Sequence, residues 1–502
     1  MNKNFLFKIL VPLTIFILAY LFYGPNSDSY RVCILEYSPI VVASSGLVTK
    51  EKARSQQLKN LNEIGNYMSI CKESKGKLFV TPEYSLTDIA EWDRTTVEPY
   101  LHELPIREGH QWNPCLDDEE KMRNYTRYGI SEVVKRASCL ARENEMYFVV
   151  GGMNEVEYTK TTTTKSITTT TKKQYNSAAI FSNNGELVTK HRKAHLYGNE
   201  QKIFDRPDNK AGENYFDTPF SGRIGILICA ELLFGKEINE MKESHDYDTL
   251  VFPTYWVNFL PLLVSTSFQS ELSRQTNSII IGANSGSKGK LSSGSGVFQN
   301  GNTIKQYINP SDKAKSKLLI VDVPKKNKKS NKKTIQHQNK KLDLPILKQA
   351  LKPKFKVFNA TPGKEETIFF ENNGIVCNVS FQISTKKVKQ VEQFAIIVDR
   401  GSTIAPAFAQ YCGLMRCVKD PLNLYPCKIS NVTRSNTIFN HFKITSNFQS
   451  QENAFGLVVS DNLIVQNSQD IKITKSSITS KNSQHFKLLS AVLYNFGEFE
   501  KV

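Results

Sequence analysis

Three residues of this sequence have chemistries that fit together. Glu83 stands in Pro82-Glu83, just past the short apolar run Leu78–Thr81. Lys193 lies in the cluster His191-Arg192-Lys193-Ala194-His195-Leu196. Cys229 closes the apolar run that starts at Ile224 and is followed by Ala230-Glu231. A carboxylate, an ammonium and a thiol together can cut an amide. The carboxylate takes the thiol proton, so that sulfur attacks the carbonyl. The ammonium and a backbone N–H hold the developing oxyanion. The carboxylate then protonates the leaving amine and activates the water that hydrolyses the thioester, a sequence that calls for no metal and no cofactor. Singly, each residue has a plainer reading. A lone glutamate is usually solvated, a basic cluster is usually a turn, and a free cysteine is often a small buried hydrophobe.

Each of the three follows a segment that reads as a strand. Tyr30–Glu36, Leu78–Thr81, Met146–Gly151, Thr249–Phe252 and Ser278–Ala283 are short apolar runs bounded by turn residues. Lys50–Cys71 carries Leu58, Leu61, Ile64 and Met68 at helical spacing, and Ile130–Asn144 and Leu262–Gln275 also read as helices. Asn183-Asn184-Gly185 between Ser177–Ser182 and Glu186–Lys190 is a hairpin signal. Strands alternating with helices imply an α/β architecture up to about residue 323. In such folds, chemistry gathers beyond the strand ends. A helix beginning at Cys229 would turn its dipole toward the sulfur and favour the thiolate. Residues 159–173 are almost pure Thr and Lys and read as a mobile surface insertion. Beyond residue 356 short strands with polar connections predict a smaller β-rich domain.

Composition sets the compartment. The chain has 502 residues, 40% hydrophobic, with a formal net charge of +17. Eight of those positive charges fall in one run, Lys325 to Lys341. No aromatic interleaves them, so the run gives no stacking platform and no sign of nucleic-acid binding. It reads as a solvated linker over 324–356. Lys3 and Lys8 before the apolar stretch Ile9–Tyr23 read as a signal peptide over 1–24, or as a signal anchor. Nine cysteines fit an oxidising compartment and leave at least one thiol unpaired. Cys115 and Cys139 read as one pair; Cys412, Cys417 and Cys427 cluster, with Cys377 as a fourth member. Asn124, Asn359, Asn378 and Asn431 sit in glycosylation sequons.

In that order, Pro82-Glu83, His191 to Leu196 and Cys229-Ala230-Glu231 resemble the Glu–Lys–Cys pattern of the nitrilase superfamily. Trp112-Asn113-Pro114-Cys115, Tyr175-Asn176, Phe216 to Phe220, Phe252-Pro253-Thr254, Gly294-Ser295-Gly296 and Tyr411-Cys412 narrow the resemblance to its biotinidase and vanin branch. The resemblance implies a four-layer αββα catalytic domain over 28–323 and a disulfide-containing β-rich domain over 357–502. It also implies a secreted hydrolase acting on a small linear amide. Glu83 would be the general base, Lys193 the oxyanion-stabilising lysine and Cys229 the nucleophile. Glu200 would be a supporting carboxylate, and Trp256 and Asn258 would lie near the substrate. The branch usually carries Cys-Phe-Asp where this chain has Cys229-Ala230-Glu231. Pantetheine and biotinyl-lysine are both candidate substrates. A second reading, of a different class, is a catalytically silent secreted protein that keeps the fold and binds a small molecule or an acidic polymer.

Overall fold

The computed structural model describes residues 28–41, 48–87, 93–105, 112–117, 131–162, 168–208, 214–258, 262–287, 292–309, 311, 313–325, 354–359, 361–385, 392–400, 409–418, 434–448, 453–461, 464–465, 470–481 and 486–496. The N-terminal segment, nearly all of the Lys-rich run, Asn124, Asn431 and Cys427 lie outside them.

Two six-stranded sheets form the centre. The first has Lys317–Pro324 (β14) beside Ser29–Glu36 (β1), then Leu78–Val80 (β2), Tyr147–Gly151 (β3), Ser177–Phe181 (β6) and Leu187–Arg192 (β7). Strands β1, β2 and β3 are parallel, and the outer pairings are antiparallel. The second runs Asn302–Tyr307 (β13), Ser295–Gln299 (β12), Ile279–Asn284 (β11), Thr249–Thr254 (β10), Gly222–Ile226 (β9) and Tyr215–Thr218 (β8). Its central strands β9, β10 and β11 are again parallel. The sheets meet face to face through Val32, Ile34, Val80 and Val149 from one and Ile224, Ile226, Val251 and Ile281 from the other, all buried. These strands are apolar on both faces because each sheet is also covered by helices. Helices α1 (Lys50–Glu73) and α2 (Glu132–Glu143) pack on the first sheet through Leu61, Ile64, Met68, Val133 and Leu140. Helices α3 (Gly235–His245) and α4 (Ser265–Gln275) pack on the second. The layering is αββα, as the resemblance implied.

A β-sandwich follows. One sheet orders Lys354–Asn359, Gln393–Arg400, Ala409–Cys417, Leu488–Phe496, Asn453–Ser460 and Ile464–Val465, and the other has five strands. Phe381, Phe394, Phe439 and Leu493 are among the buried residues between them. The outer face of the first sheet meets α4. Phe268 lies 5.7 Å from Phe455 and 5.6 Å from Tyr494, ring centre to ring centre. The disulfides are Cys33–Cys71, Cys115–Cys139 and Cys377–Cys412. The first was not anticipated: it joins β1 to the far end of α1, two elements that only the fold brings together. Among the described residues Cys229 and Cys417 stand outside these bonds. Asn359 is exposed and Asn378 half-buried within the sandwich sheet.

One expectation fails. Instead of a mobile insertion, Glu155–Thr162 (β4) and Thr168–Tyr175 (β5) pair in antiparallel register. Threonine is β-branched and suits an extended backbone, and a hairpin needs no core of its own. The base of this hairpin is tied down by Arg192, which bonds Glu155 at 2.6 and 2.7 Å and lies 3.9 Å over the Tyr175 ring.

Candidate active site

Each of the three candidate residues sits just beyond a strand end, where the two sheets open to the same side. Glu83 follows β2. Gly151, at the end of β3, lets the backbone of this turn come close: a side chain there would meet the Pro82 carbonyl at 2.2 Å. Tyr84 holds a left-handed φ of 56°, a backbone conformation costly enough to need enforcement by its surroundings. Lys193 follows β7, and its N–H donates to the Asn176 carbonyl at 2.9 Å.

Cys229 follows β9 and adopts a φ of 47°. The expected helix after it is only a five-residue 3₁₀ turn, Cys229–Leu233, and α3 begins at Gly235. Glu231 makes this elbow rigid. It accepts hydrogen bonds from the Ile228 N–H at 2.7 Å and the Ala194 N–H at 2.6 Å, and pairs with His191 at 2.8 Å. One buried carboxylate therefore locks the thiol's turn to the lysine's loop. Burial would raise its pKa, but His191 and the two N–H groups outweigh that and hold it low.

Lys193 gathers both carboxylates, and the Glu83 and Lys193 charges are felt at the Cys229 thiol. Lys193 Nζ donates to Glu83 Oε1 at 2.8 Å and to Glu200 Oε2 at 2.8 Å. Lys193 and Glu83 are each 1% exposed. Glu83 also accepts from Asn176 Nδ2 at 2.7 Å and, through Oε2, from the Tyr255 N–H at 2.9 Å. Glu200 accepts from the Tyr84 hydroxyl at 2.6 Å and the Asn176 amide at 3.0 Å. Its own segment places it, through the Tyr197 N–H at 2.8 Å.

Electrostatics follow from one cation between two carboxylates in a dry place. Burial lowers the Lys193 pKa, but Glu200 and Glu83 more than reverse this and keep it charged. Burial raises Glu83; Lys193 pulls it back and Glu200 pushes it up again, for a net rise. Burial also pushes the Cys229 thiol up to about 12, with Glu83 adding and Lys193 opposing. The expected ionised thiol is therefore corrected. A short 3₁₀ turn brings little dipole, and desolvation disfavours the anion more than one lysine favours it. At rest the sulfur is protonated, so it needs a base at the moment of attack.

Trp256 and Asn258 lie on the loop that carries Tyr255. The Trp256 indole packs on Phe268 at 4.9 Å and donates to the Leu263 carbonyl at 3.2 Å. Asn258 is buried, with its amide donating to the Ser293 carbonyl at 2.7 Å and its carbonyl accepting from Ser265 N–H at 2.8 Å. Both brace this loop. Asn176, Tyr84 and Glu231 are site residues to which the sequence reading gave no role. The Tyr175-Asn176 pair was visible, but its contact with Glu83 spans 93 positions.

Behind the loop, Glu36 at the end of β1 accepts from Ser293 Oγ at 2.6 Å, Gly294 N–H at 2.9 Å and Ser295 Oγ at 2.8 Å. Burial without a cation pushes it up to about 8. The folded state then keeps a proton that the unfolded chain releases above its ordinary pKa of 4.5. This group's contribution to stability should fall as pH rises from roughly 4.5 to 8 and level off above that. Denaturant unfolding at pH 5 and pH 8.5 checks it: the loss between the two should be smaller in Glu36→Gln than in the parent. An equal loss in both would show that Glu36 does not titrate there.

With this geometry established, comparison with known proteins is informative. Residues 42–246 match the carbon–nitrogen hydrolase family model, and residues 345–497 match the Vanin C-terminal domain. The chain thus carries a carbon–nitrogen hydrolase domain followed by a Vanin C-terminal domain. A biotinidase of Takifugu rubripes is 26% identical over 298 residues, 59% of this chain and 57% of that protein. A pantetheine hydrolase of Homo sapiens is 25% identical over 437 residues, 84% of this chain and 80% of that one. The chain thus spans little more than half of that biotinidase and four-fifths of the pantetheine hydrolase. Among solved structures, an amidase from Nesterenkonia sp. is 14% identical, with a TM-score of 0.38, over 60% of this chain and 92% of that one. All three proposed catalytic residues of this carbon–nitrogen hydrolase domain fall within the matched span. Among the described residues, no cluster of three His, Cys, Asp or Glu side chains is arranged to hold a metal ion.

Proposed function

We propose that this protein is a thiol amidohydrolase of the secretory compartment that cleaves a small linear amide, pantetheine or biotinyl-lysine, through a thioester on Cys229. The observation that carries the reading is the buried contact of Lys193 with both Glu83 and Glu200, at 2.8 Å each, with the Glu83 and Lys193 charges both felt at the Cys229 thiol. Glu83 takes the thiol proton as sulfur attacks the amide carbonyl. Lys193 holds the oxyanion as the C–S bond forms. Glu83 then hands its proton to the nitrogen, the C–N bond breaks, and the amine leaves. Water enters, Glu83 takes one of its protons, and hydroxide adds to the thioester. The C–S bond breaks, the acid leaves, and Glu83 returns its proton to the sulfur, restoring the thiol. Glu200 and Asn176 hold the lysine and the base in line. Three disulfides agree with an oxidising compartment.

Hydrolysis of pantetheine and of biotinyl-lysine, measured side by side with Cys229→Ala as blank, tests this. Turnover of one amide that vanishes in the variant supports the reading and selects the substrate. No turnover of either, with a thiol inert to alkylation, would favour a silent binding protein of the same fold.

A further inference from the structure

The glycosylation sequons take no part in the reaction above, and one of them has a setting of its own. Asn378-Val379-Ser380 lies within Ile375–Ile383, the second strand of the five-stranded sandwich sheet. Along this strand Cys377, Val379 and Phe381 are buried between the two sheets. Asn378 and Ser380 alternate with them and so face outward. Asn378 is half-buried by its neighbours on that face, and its side-chain amide bonds to none of the described residues.

Directly across, on the edge strand Glu365–Asn372, Asn378 is paired with Phe369. That strand packs Ile368 and Phe370 against the sandwich core and leaves Phe369, on the same outer face as Asn378, 54% exposed. Cross-strand partners hold their Cβ atoms about 5 Å apart. On its other side Asn378 is paired with Thr445, and Thr445 with Ser477. The row across the sheet thus sets one phenyl ring beside an asparagine and two small hydroxyl side chains. A single exposed phenylalanine is ordinary on a protein surface. One that directly faces a glycan acceptor is a platform for a sugar ring. Asn359 gives the contrast: its cross-strand partner is the polar Gln393.

We infer that Asn378 carries an N-linked glycan whose first N-acetylglucosamine lies over the Phe369 ring. Transfer uses an oligosaccharide carried on a lipid diphosphate in the secretory pathway. The Asn378 amide nitrogen bonds to the anomeric carbon, and the bond from that carbon to the phosphate oxygen breaks. The lipid diphosphate leaves with the bonding electrons, and the nitrogen gives up one proton. The sugar then turns a face of C–H groups to the electron-rich face of the phenyl ring and takes apolar surface out of water. This inference goes beyond the proposed reaction and shares with it only the secretory compartment.

The test uses the full chain made in cultured mammalian cells treated with kifunensine, so that endoglycosidase H can trim each glycan to one sugar. Peptide mass spectrometry reads the occupancy of Asn378. Hydroxyl-radical oxidation of the native protein reads the exposure of Phe369, with Tyr197, 50% exposed, as the internal standard. Asn378 should be modified. Phe369 should be oxidised about threefold more slowly than in Asn378→Gln, in Ser380→Ala or in parent protein stripped by peptide-N-glycosidase, as expected when one ring face is covered. The protection should survive trimming to one sugar and be unchanged in Asn359→Gln. A modified Asn378 with Phe369 oxidised as fast as in the stripped protein overturns the contact. An unmodified Asn378 beside a modified Asn359 overturns the site and leaves the compartment standing. A chain with no glycan at all overturns both. Hydrolysis of either amide, or its absence, bears on none of these outcomes.

Discussion

Glu83→Gln should lower kcat by roughly three to four orders of magnitude, the upper end of what one acid–base group contributes. The reason lies in the thiol. Burial pushes Cys229 up to about 12, so almost none of it is ionised at neutral pH. Attack must therefore be coupled to proton transfer, and Glu83 is the carboxylate held for it by Lys193, Asn176 and the Tyr255 N–H. The amide that replaces it keeps the shape but cannot take a proton. Hydrolysis of the thioester needs the same base, so both half-reactions suffer. Glu200→Gln should cost far less, about tenfold, because that carboxylate orients the lysine and is not the one bound by the Tyr255 N–H. Steady-state rates of the two variants decide it. If Glu83→Gln stays within tenfold of the parent and Glu200→Gln falls by thousands, the base has been assigned to the wrong carboxylate.

Lys193→Met should damage both activity and folding. In the parent one ammonium lies 2.8 Å from each of two carboxylates, with Glu83 and Lys193 itself almost fully buried. Without the cation, two like charges share a desolvated site, and breaking such a pair typically destabilises by about 3–5 kcal/mol. Glu83 responds by binding a proton, since burial and Glu200 already push its pKa upward and only Lys193 and its hydrogen bonds oppose them. A protonated Glu83 is no base. The variant should thus unfold at clearly lower denaturant, and its remaining activity should shift to higher pH. Lys193→Met with parental stability and an unshifted pH profile would show that the two carboxylates do not depend on this cation.

How much of this was legible in the sequence follows from the range of each interaction. Apolar runs such as Ile224–Ile228 and the spacing of Leu61, Ile64 and Met68 report local periodicity, and strands and a helix stand there, whereas the helix expected at Cys229 is a short 3₁₀ turn. The candidate trio was legible because residue types alone carry the chemistry proposed for it. What escaped depends on contacts between distant positions. Asn176 meets Glu83 across 93 residues, and Ala194 meets Glu231 across 37. Nothing near either residue in the chain reports that pairing. The Thr/Lys stretch misled because low complexity was read as disorder, whereas a β-branched run can pair with itself when Arg192 and Glu155 fix its base. The thiol's protonation state was misjudged because burial, which dominates it, cannot be read from a motif.

The most direct measurement is the mass of the protein caught during turnover. Both half-reactions slow in Glu83→Gln, so the parent is the protein to quench: acid added during its turnover of pantetheine or biotinyl-lysine should leave an acyl group on the Cys229 peptide. Cys229→Ala should show no adduct and no turnover. An adduct on another residue, or amide hydrolysis that continues in Cys229→Ala, would contradict the account.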